Sequence, residues 1–159
     1  MLTIRPATIN DVPLLKTLIC ELAAYEQELD SVAIQESDLE RDGFGDDPKF
    51  QALIAEWEGQ PAGYALFFDF YSTWTGRHLF LEDLFVRPEF RAHGIGRAML
   101  ATVAKIARTA GFYAMRWEVL GWNESAINFY RSAGAEFLDD WKLVMLREDA
   151  LERMAETAA

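Results

Sequence analysis

Three apolar runs follow one another between residues 50 and 86 with only short links between them. Phe50 to Trp57 and Ala62 to Phe70 flank Glu58-Gly59-Gln60-Pro61, and Leu79 to Val86 follows Tyr71-Ser72-Thr73-Trp74-Thr75-Gly76-Arg77. Runs of this length bounded by glycine-containing turns predict strands, and links this short permit only antiparallel neighbours. A three-stranded meander is therefore the frame that the rest of the chain has to complete.

The flanking segments supply one further strand before the meander and helices on both sides of it. Leu2 to Arg5 predicts a short strand. Asn10-Asp11 starts a helix with the stripe Leu15, Leu18, Ile19 and Leu22, ending near Tyr25. The acidic stretch from Glu26 to Pro48 predicts a loop with one short helix around Ser37 to Arg41, long enough to carry function. After the meander, Ile95, Met99, Val103 and Ile106 mark one side of a helix that closes near Gly111. Met115 to Val119 reads as a strand, Asn123 to Ala133 as a helix stopped by Gly134, Lys142 to Arg147 as a last strand, and the tail after Glu148 as a short helix. Together these predict one α/β domain over residues 1–159, built on a single sheet.

Composition narrows the function classes. At 51% apolar the chain can bury a sizeable core, yet no apolar run approaches the roughly 18 residues of a membrane span. Met1-Leu2-Thr3-Ile4-Arg5 lacks the basic-then-apolar order of an export signal, so a cytoplasmic protein with no membrane partner is expected. A formal charge of −11 argues against a nucleic-acid partner, whose binding depends largely on Lys and Arg. The same charge favours a cationic substrate or simply keeps the chain soluble. Cys20 is the only cysteine, and its helix position predicts packing. His78 and His93 read as solitary surface imidazoles, so no metal site is expected.

The stretch Arg91-Ala92-His93-Gly94-Ile95-Gly96-Arg97 opens a predicted helix. Helix N-termini carry unpaired N–H groups and partial positive charge, glycines let an anion come close, and arginines add full charges beside it. A dinucleotide fingerprint would need a third glycine where Met99 stands, and a P-loop would need Gly-Lys-Ser/Thr. On these residues alone an anion site and a plain turn both remain open.

Leu84-Phe85-Val86 followed by Arg91-Ala92-His93-Gly94-Ile95-Gly96 resembles the cofactor signature of the GNAT superfamily of N-acetyltransferases. The diamine (spermidine/spermine) branch is most similar, through Ile4-Arg5-Pro6-Ala7-Thr8, Glu21-Leu22-Ala23-Ala24-Tyr25-Glu26, Asp42-Gly43-Phe44-Gly45, Leu81-Glu82-Asp83-Leu84-Phe85-Val86 and Trp122-Asn123-Glu124-Ser125-Ala126-Ile127-Asn128-Phe129-Tyr130. The resemblance implies an α/β (α+β) acyl-CoA N-acyltransferase fold with a mainly antiparallel central sheet flanked by helices. It also implies acetyl-CoA as cosubstrate, no metal, a small cationic amine as acceptor and a homodimer. Acetylation of a protein lysine or N-terminus, or acyl-CoA binding without turnover, are the alternatives.

Such chemistry needs a base, because an amine of pKa near 10.4 is roughly 4.6 kcal/mol from its neutral form at pH 7. Strand alternation predicts Glu82 on one face with Phe80 and Leu84, and Asp83 on the other with Leu81 and Phe85. Each acid thus stands in an apolar row, which calls for a wet cleft or a fixed partner. The resemblance makes Glu82 the general base, acting through water and touching substrate, and Asp83 an amine contact. It gives the backbone of Leu84, Phe85 and Val86 to the pantetheine chain, and the segment Arg91, Ala92, His93, Gly94, Ile95, Gly96 and Arg97 to the pyrophosphate. Asn123 and Ala126 fall against the cofactor, Asn123 also suiting a helix cap. Tyr130 becomes the proton donor to the leaving thiolate, and Tyr25 and Glu26 hold the substrate's far cationic end. Trp74 either walls the cleft or packs at a dimer seam. Transfer is expected to be direct, without an acyl-enzyme on Cys20. Before Trp122 the polyamine enzymes carry an acid where Gly121 stands here, and the loop ending at Asp139-Asp140-Trp141-Lys142 is shorter than theirs, which leaves room for short diamines or a lysine-like amino acid such as thialysine.

Overall fold

Glu58 and Gly59 both take positive φ, 53° and 80°, the pair of left-handed residues that a two-residue hairpin turn requires. Trp57 therefore pairs with Gln60, and β2 (Gln51–Trp57) runs directly into β3 (Gln60–Ser72). A second tight turn leads to β4 (Gly76–Val86). On one flank β1 (Leu2–Pro6) pairs antiparallel with β2, Leu2 opposite Trp57. On the other, β5 (Ala114–Arg116) runs parallel to β4, from His78 opposite Ala114 to Phe80 opposite Arg116. This computed structural model describes residues 1–158, and its sheet order is β1-β2-β3-β4-β5, mainly antiparallel as expected. The α/β class holds.

Helices α1 (Val12–Tyr25), α2 (Glu36–Phe44) and α3 (Ile95–Thr109) complete a compact unit over Met1–Val119. Val12, Leu15 and Leu18 of α1 and Leu39 of α2 bury against Ile54, Tyr64, Leu66 and Phe85. Ile95 and Met99 of α3 bury against Ala55 and Ala62, with Leu84 and Val86 packed alongside. Since Phe85 joins the first group and both its neighbours the second, the two cores lie on opposite faces of the sheet. A separate unit begins at Leu120 and contains α4 (Glu124–Ser132) and α5 (Glu148–Ala155).

Three sequence expectations change. Segment 142–147 is not a strand: Leu143, Val144, Met145 and Leu146 are exposed, and among the described residues no strand pairs with it. Alternating apolar residues make a strand only where a neighbour takes up their N–H and C=O groups. The strand expected from Met115 to Val119 is shorter and earlier. His78 is a buried β4 residue, bonded through Nε2 to Thr75 Oγ1 at 2.7 Å and stacked on Tyr113, not a surface imidazole.

Two polar or steric devices fix the frame. Arg5 on β1 grips Asp11 through Nη1 and Nη2 at 2.9 and 2.8 Å and Glu56 on β2 through Nε at 2.9 Å. Asp11 also accepts from the Thr8 N–H and hydroxyl at 2.7 and 2.8 Å, so one carboxylate closes the turn over Ile9–Asp11 that leads into α1 and ties it to the sheet. At Gly63, opposite Val86, a Cβ would stand 2.1 Å from the Phe85 carbonyl oxygen. Only glycine lets β3 and β4 come this close.

Gly63→Ala is expected to destabilise the fold by about 2–3 kcal/mol in urea titration. Gly59→Ala, where nothing lies within 4 Å and only the positive φ is at stake, should cost about 1 kcal/mol. The Arg5 guanidinium, together with Thr8, holds the Asp11 carboxyl well below the usual range. A depressed folded pKa gives stability that is complete above the unfolded value, about 3.9, and is lost as pH falls below it. Acid titration of stability should show that loss in the wild type and a smaller one in Asp11→Asn.

Candidate active site

The β3–β4 register shifts by one residue in the middle of β4. Leu66 faces Asp83 whereas Phe67 faces Leu81, so Glu82 is the extra residue of a β-bulge and has no cross-strand partner. Cross-strand partners share a face, and Leu66 and Phe67 point to opposite faces. Asp83 therefore shares a face with Tyr64, Leu66 and Phe85, opposite to Leu81. This corrects the simple alternation, which put Asp83 and Leu81 together. The bulge is the reason.

On that face the Tyr64 hydroxyl donates to Asp83 Oδ2 at 2.7 Å. Tyr64 is fully buried and Asp83 half-buried. Burial raises the Asp83 carboxyl above its ordinary pKa, the Tyr64 hydrogen bond opposes that, and the charge of Glu26, just past α1, adds to the rise. Glu26 is itself raised, by partial burial and then by Glu28. Glu82, at the exposed rim, is raised by partial desolvation, then by Asp83 and by Glu118 beyond β5. The charged neighbours that shift Glu26, Glu82 and Asp83 are thus all acidic.

Pairing of β4 with β5 ends at Phe80 and Arg116. Beyond it, residues 81–86 are laddered to β3 alone among the strands described, so Leu84, Phe85 and Val86 lie along an unladdered edge. That edge leads to the glycine loop. Arg87 leaves β4 by donating to both Glu21 carboxylate oxygens at 2.7 Å and to the Pro61 carbonyl at 3.0 Å. Gly94 then caps α3 in the left-handed region at φ 74°, with nothing within 4 Å of where a Cβ would be. Ala92 is left-handed as well, at φ 66°, a conformation that costs an alanine about 1–2 kcal/mol. The first hydrogen bond of the helix, from Ala98 N–H to Gly94 C=O at 3.0 Å, comes after Ile95 and Gly96, whose amides therefore have no carbonyl inside α3 to bond. Arg91 turns back: its Nε donates to the Val86 carbonyl at 3.1 Å and its guanidinium lies 4.7 Å from the centre of the Tyr25 ring. His93 Nδ1 lies 2.9 Å from the Arg91 carbonyl oxygen. Arg97 projects from the first turn of α3.

The structure thus groups Tyr25, Glu26, Glu82 and Asp83 with the edge and the glycine loop. Trp74 is elsewhere. It occupies the β3–β4 turn, exposed, about 20 Å along β4 from the two acids at 3.3 Å per residue. Asn123, Ala126 and Tyr130 belong to the unit that begins at Leu120. There Asn123 caps α4 by accepting from the Ala126 N–H at 3.2 Å, and Tyr130 is buried beside the Phe129 ring. Cys20 is a free, half-buried thiol on α1.

Residues 16–135 match the model of the Acetyltransferase (GNAT) family. The chain belongs to that family. It is 39% identical to a thialysine N-epsilon-acetyltransferase of Sus scrofa across 96% of each chain. It is 40% identical to the spermidine/spermine N(1)-acetyltransferase-like protein 1 of Homo sapiens, across 96% of this chain and 23% of that protein. Among solved structures, an integron cassette protein from the mobile metagenome of V. cholerae matches with a TM-score of 0.80 over 98% of both chains at 22% identity, a likeness of fold. The protein is a GNAT N-acetyltransferase, and enzymes of this family use acetyl-CoA. Its residues fit that group: an unladdered strand edge suits the amides of pantetheine, and the open space before Gly94, at the amides that start α3, suits a diphosphate.

Two residues at the acidic site escaped the sequence reading. Tyr64 sits inside an apolar run, where a tyrosine reads as packing, and only the register of β3 with β4, Tyr64 opposite Phe85, brings a carboxylate to its hydroxyl. Glu118 follows a short strand, and its only sequence signal is its offset: with Phe80 opposite Arg116, two steps on carries Glu82 toward Glu118. Glu118→Gln removes a like charge and should lower the Glu82 pKa toward the ordinary carboxylate value, read by carbon-13 NMR of labelled glutamate. An unmoved Glu82 titration would show that the two charges do not meet.

Proposed function

We propose that residues 1–159 form one acetyl-CoA-dependent N-acetyltransferase domain acting on a primary amine of a small cationic substrate, a short diamine or a lysine-like amino acid. The observation that carries this reading is the acidic group of Glu26, Glu82, Asp83 and Glu118. Burial raises the carboxyls of Glu26, Glu82 and Asp83, acidic neighbours add to each rise, and a bound ammonium would relieve that repulsion. The relatives named for thialysine and spermidine/spermine acetylation support the same substrate class.

Acetyl-CoA, when bound, supplies an acetyl group activated as a thioester. Main-chain amides of Leu84, Phe85 and Val86 hold its pantetheine arm, and the segment Arg91 to Arg97 holds its diphosphate, with Asn123 and Ala126 against the cofactor. Glu82 takes the proton of the reacting ammonium through a water, and its raised pKa brings it closer to the operating pH, where a base is most effective. Asp83, Glu26 and Tyr25 hold cationic charge on the substrate. Tyr130, in the family-like run Asn128-Phe129-Tyr130-Arg131, gives its hydroxyl proton to the departing sulfur. A cytoplasmic homodimer completes the proposal, and the exposed apolar segment Leu143 to Leu146 supports the dimer.

Release of free thiol from acetyl-CoA, screened across putrescine, spermidine, thialysine and lysine-containing peptides, tests this. Turnover is expected on a small diamine or lysine analogue; activity on peptides alone would move the substrate to proteins, and none on any primary amine would reject the function. Glu82→Gln should lower kcat/KM by about 10²–10⁴-fold. Wild-type activity should fall as pH drops through a Glu82 pKa that lies above the usual carboxylate value. Tyr130→Phe should lower kcat with a smaller effect on KM.

A further inference from the structure

Building on the amine-acetylating function above, we propose that Tyr64 is a positioning residue: its buried hydroxyl fixes the Asp83 carboxylate in one orientation, so that the remaining oxygen, together with Glu26, binds an ammonium group of the substrate.

Three features place this role on Tyr64. Its side chain is fully buried in the core between β3 and α1, its ring 6.4 Å from that of Phe85 in an edge arrangement, so the hydroxyl has little freedom. It donates to Asp83 Oδ2 at 2.7 Å, a short hydrogen bond of the kind a charged acceptor makes. And Asp83, two residues before Phe85, shares the Tyr64 face, whereas Glu82 at the bulge lies outside the ladder, so the two adjacent carboxylates have different surroundings. A neutral donor suits this task better than an arginine would. It satisfies one oxygen without cancelling the charge, so the carboxylate still attracts a cation.

The titratable groups that act on Asp83 are Tyr64 from β3 and Glu26 past α1, with Glu82 from its own strand coupled to it. Burial and then Glu26 favour its protonated form, whereas the Tyr64 hydrogen bond alone favours the ionised one. Removal of that hydroxyl therefore raises the Asp83 pKa. A site that needs the anion to hold an ammonium then loses affinity at higher pH than before.

Tyr64→Phe keeps the ring and its packing. It is expected to raise KM for the amine about tenfold, a change of about 1.4 kcal/mol, with kcat and the acetyl-CoA KM within about twofold. The acid limb of the kcat/KM profile should move upward. In an Asp83→Asn background the same substitution should do nothing further. An unchanged amine KM with an unmoved profile, or an equal effect with and without Asp83, would overturn the assignment. Carbon-13 NMR of labelled aspartate in the ligand-free protein separates the two readings: an Asp83 pKa that rises in Tyr64→Phe supports the positioning role even if no amine is turned over, and one that does not rise refutes it.

Discussion

Because Leu66 faces Asp83 while Phe67 faces Leu81, β4 carries one residue more than β3 requires, and that residue is Glu82. In an unbulged strand Leu81 would share the face of Asp83 and Phe85; the extra residue sends Leu81 to the opposite face. Asp83 meets the Tyr64 hydroxyl, and Glu82, outside the ladder, is exposed at the rim. The ladder between β4 and β5 ends two residues earlier, at Phe80 and Arg116. Acid placement and an unladdered backbone thus occur on the same few residues, which is what a site needs if it is to hold an amine beside an extended cosubstrate.

That stretch of β4 is held firmly at its far end. Gly63 lets β3 approach within a distance that no side chain would permit, and the bidentate Arg87–Glu21 pair ties the exit of the strand to α1. Arg91 then binds the Val86 carbonyl and lies over Tyr25, so the loop before α3 is braced by the same helix whose last turn brings Glu26 to Asp83. The left-handed Ala92 carries backbone strain that this bracing sustains. Cofactor loop and acidic group are therefore positioned from one scaffold of β4 and α1, and movement of either would be felt by both.

The meander was legible because apolar length and glycine turns are local signals, and Glu58-Gly59 proved to be the hairpin turn. The stripes of α1 and α3 were legible for the same kind of reason: Leu15, Leu18, Ile95, Met99 and Val103 are all buried. What could not be read depends on partners. Register and bulge are properties of two strands together, so the separation of Leu81 from Asp83, and the meeting of Asp83 with Tyr64, were hidden. Segment 142–147 has the alternation of a strand but pairs with no strand among the described residues, and His78 is buried where Tyr113 stacks on it and β5 pairs beside it. Trp74 had the chemistry to attract an ammonium, yet the length of β4 carries it to the far end of the hairpin from Asp83.

The carboxylates separate by the sign of their shifts. Asp11, with Arg5 and Thr8 as donors, is pushed below the ordinary value, so its contribution to stability appears as pH rises through the acid range. Glu26, Glu82 and Asp83 are pushed above it, so ionising each one on folding costs stability, and the cost develops as pH rises from the ordinary carboxylate value through the raised one. At neutral pH Glu26, Glu82 and Asp83 therefore oppose the fold, whereas Asp11 and the exposed, Arg41-paired Asp42 do not. Asp11 is surrounded by donors that belong to the protein; the charges that reach the other three are acidic, Glu28 at Glu26, Glu26 at Asp83, and Asp83 with Glu118 at Glu82. Repulsion of this kind is retained where a ligand is the missing partner, and an ammonium supplies the charge that the chain withholds.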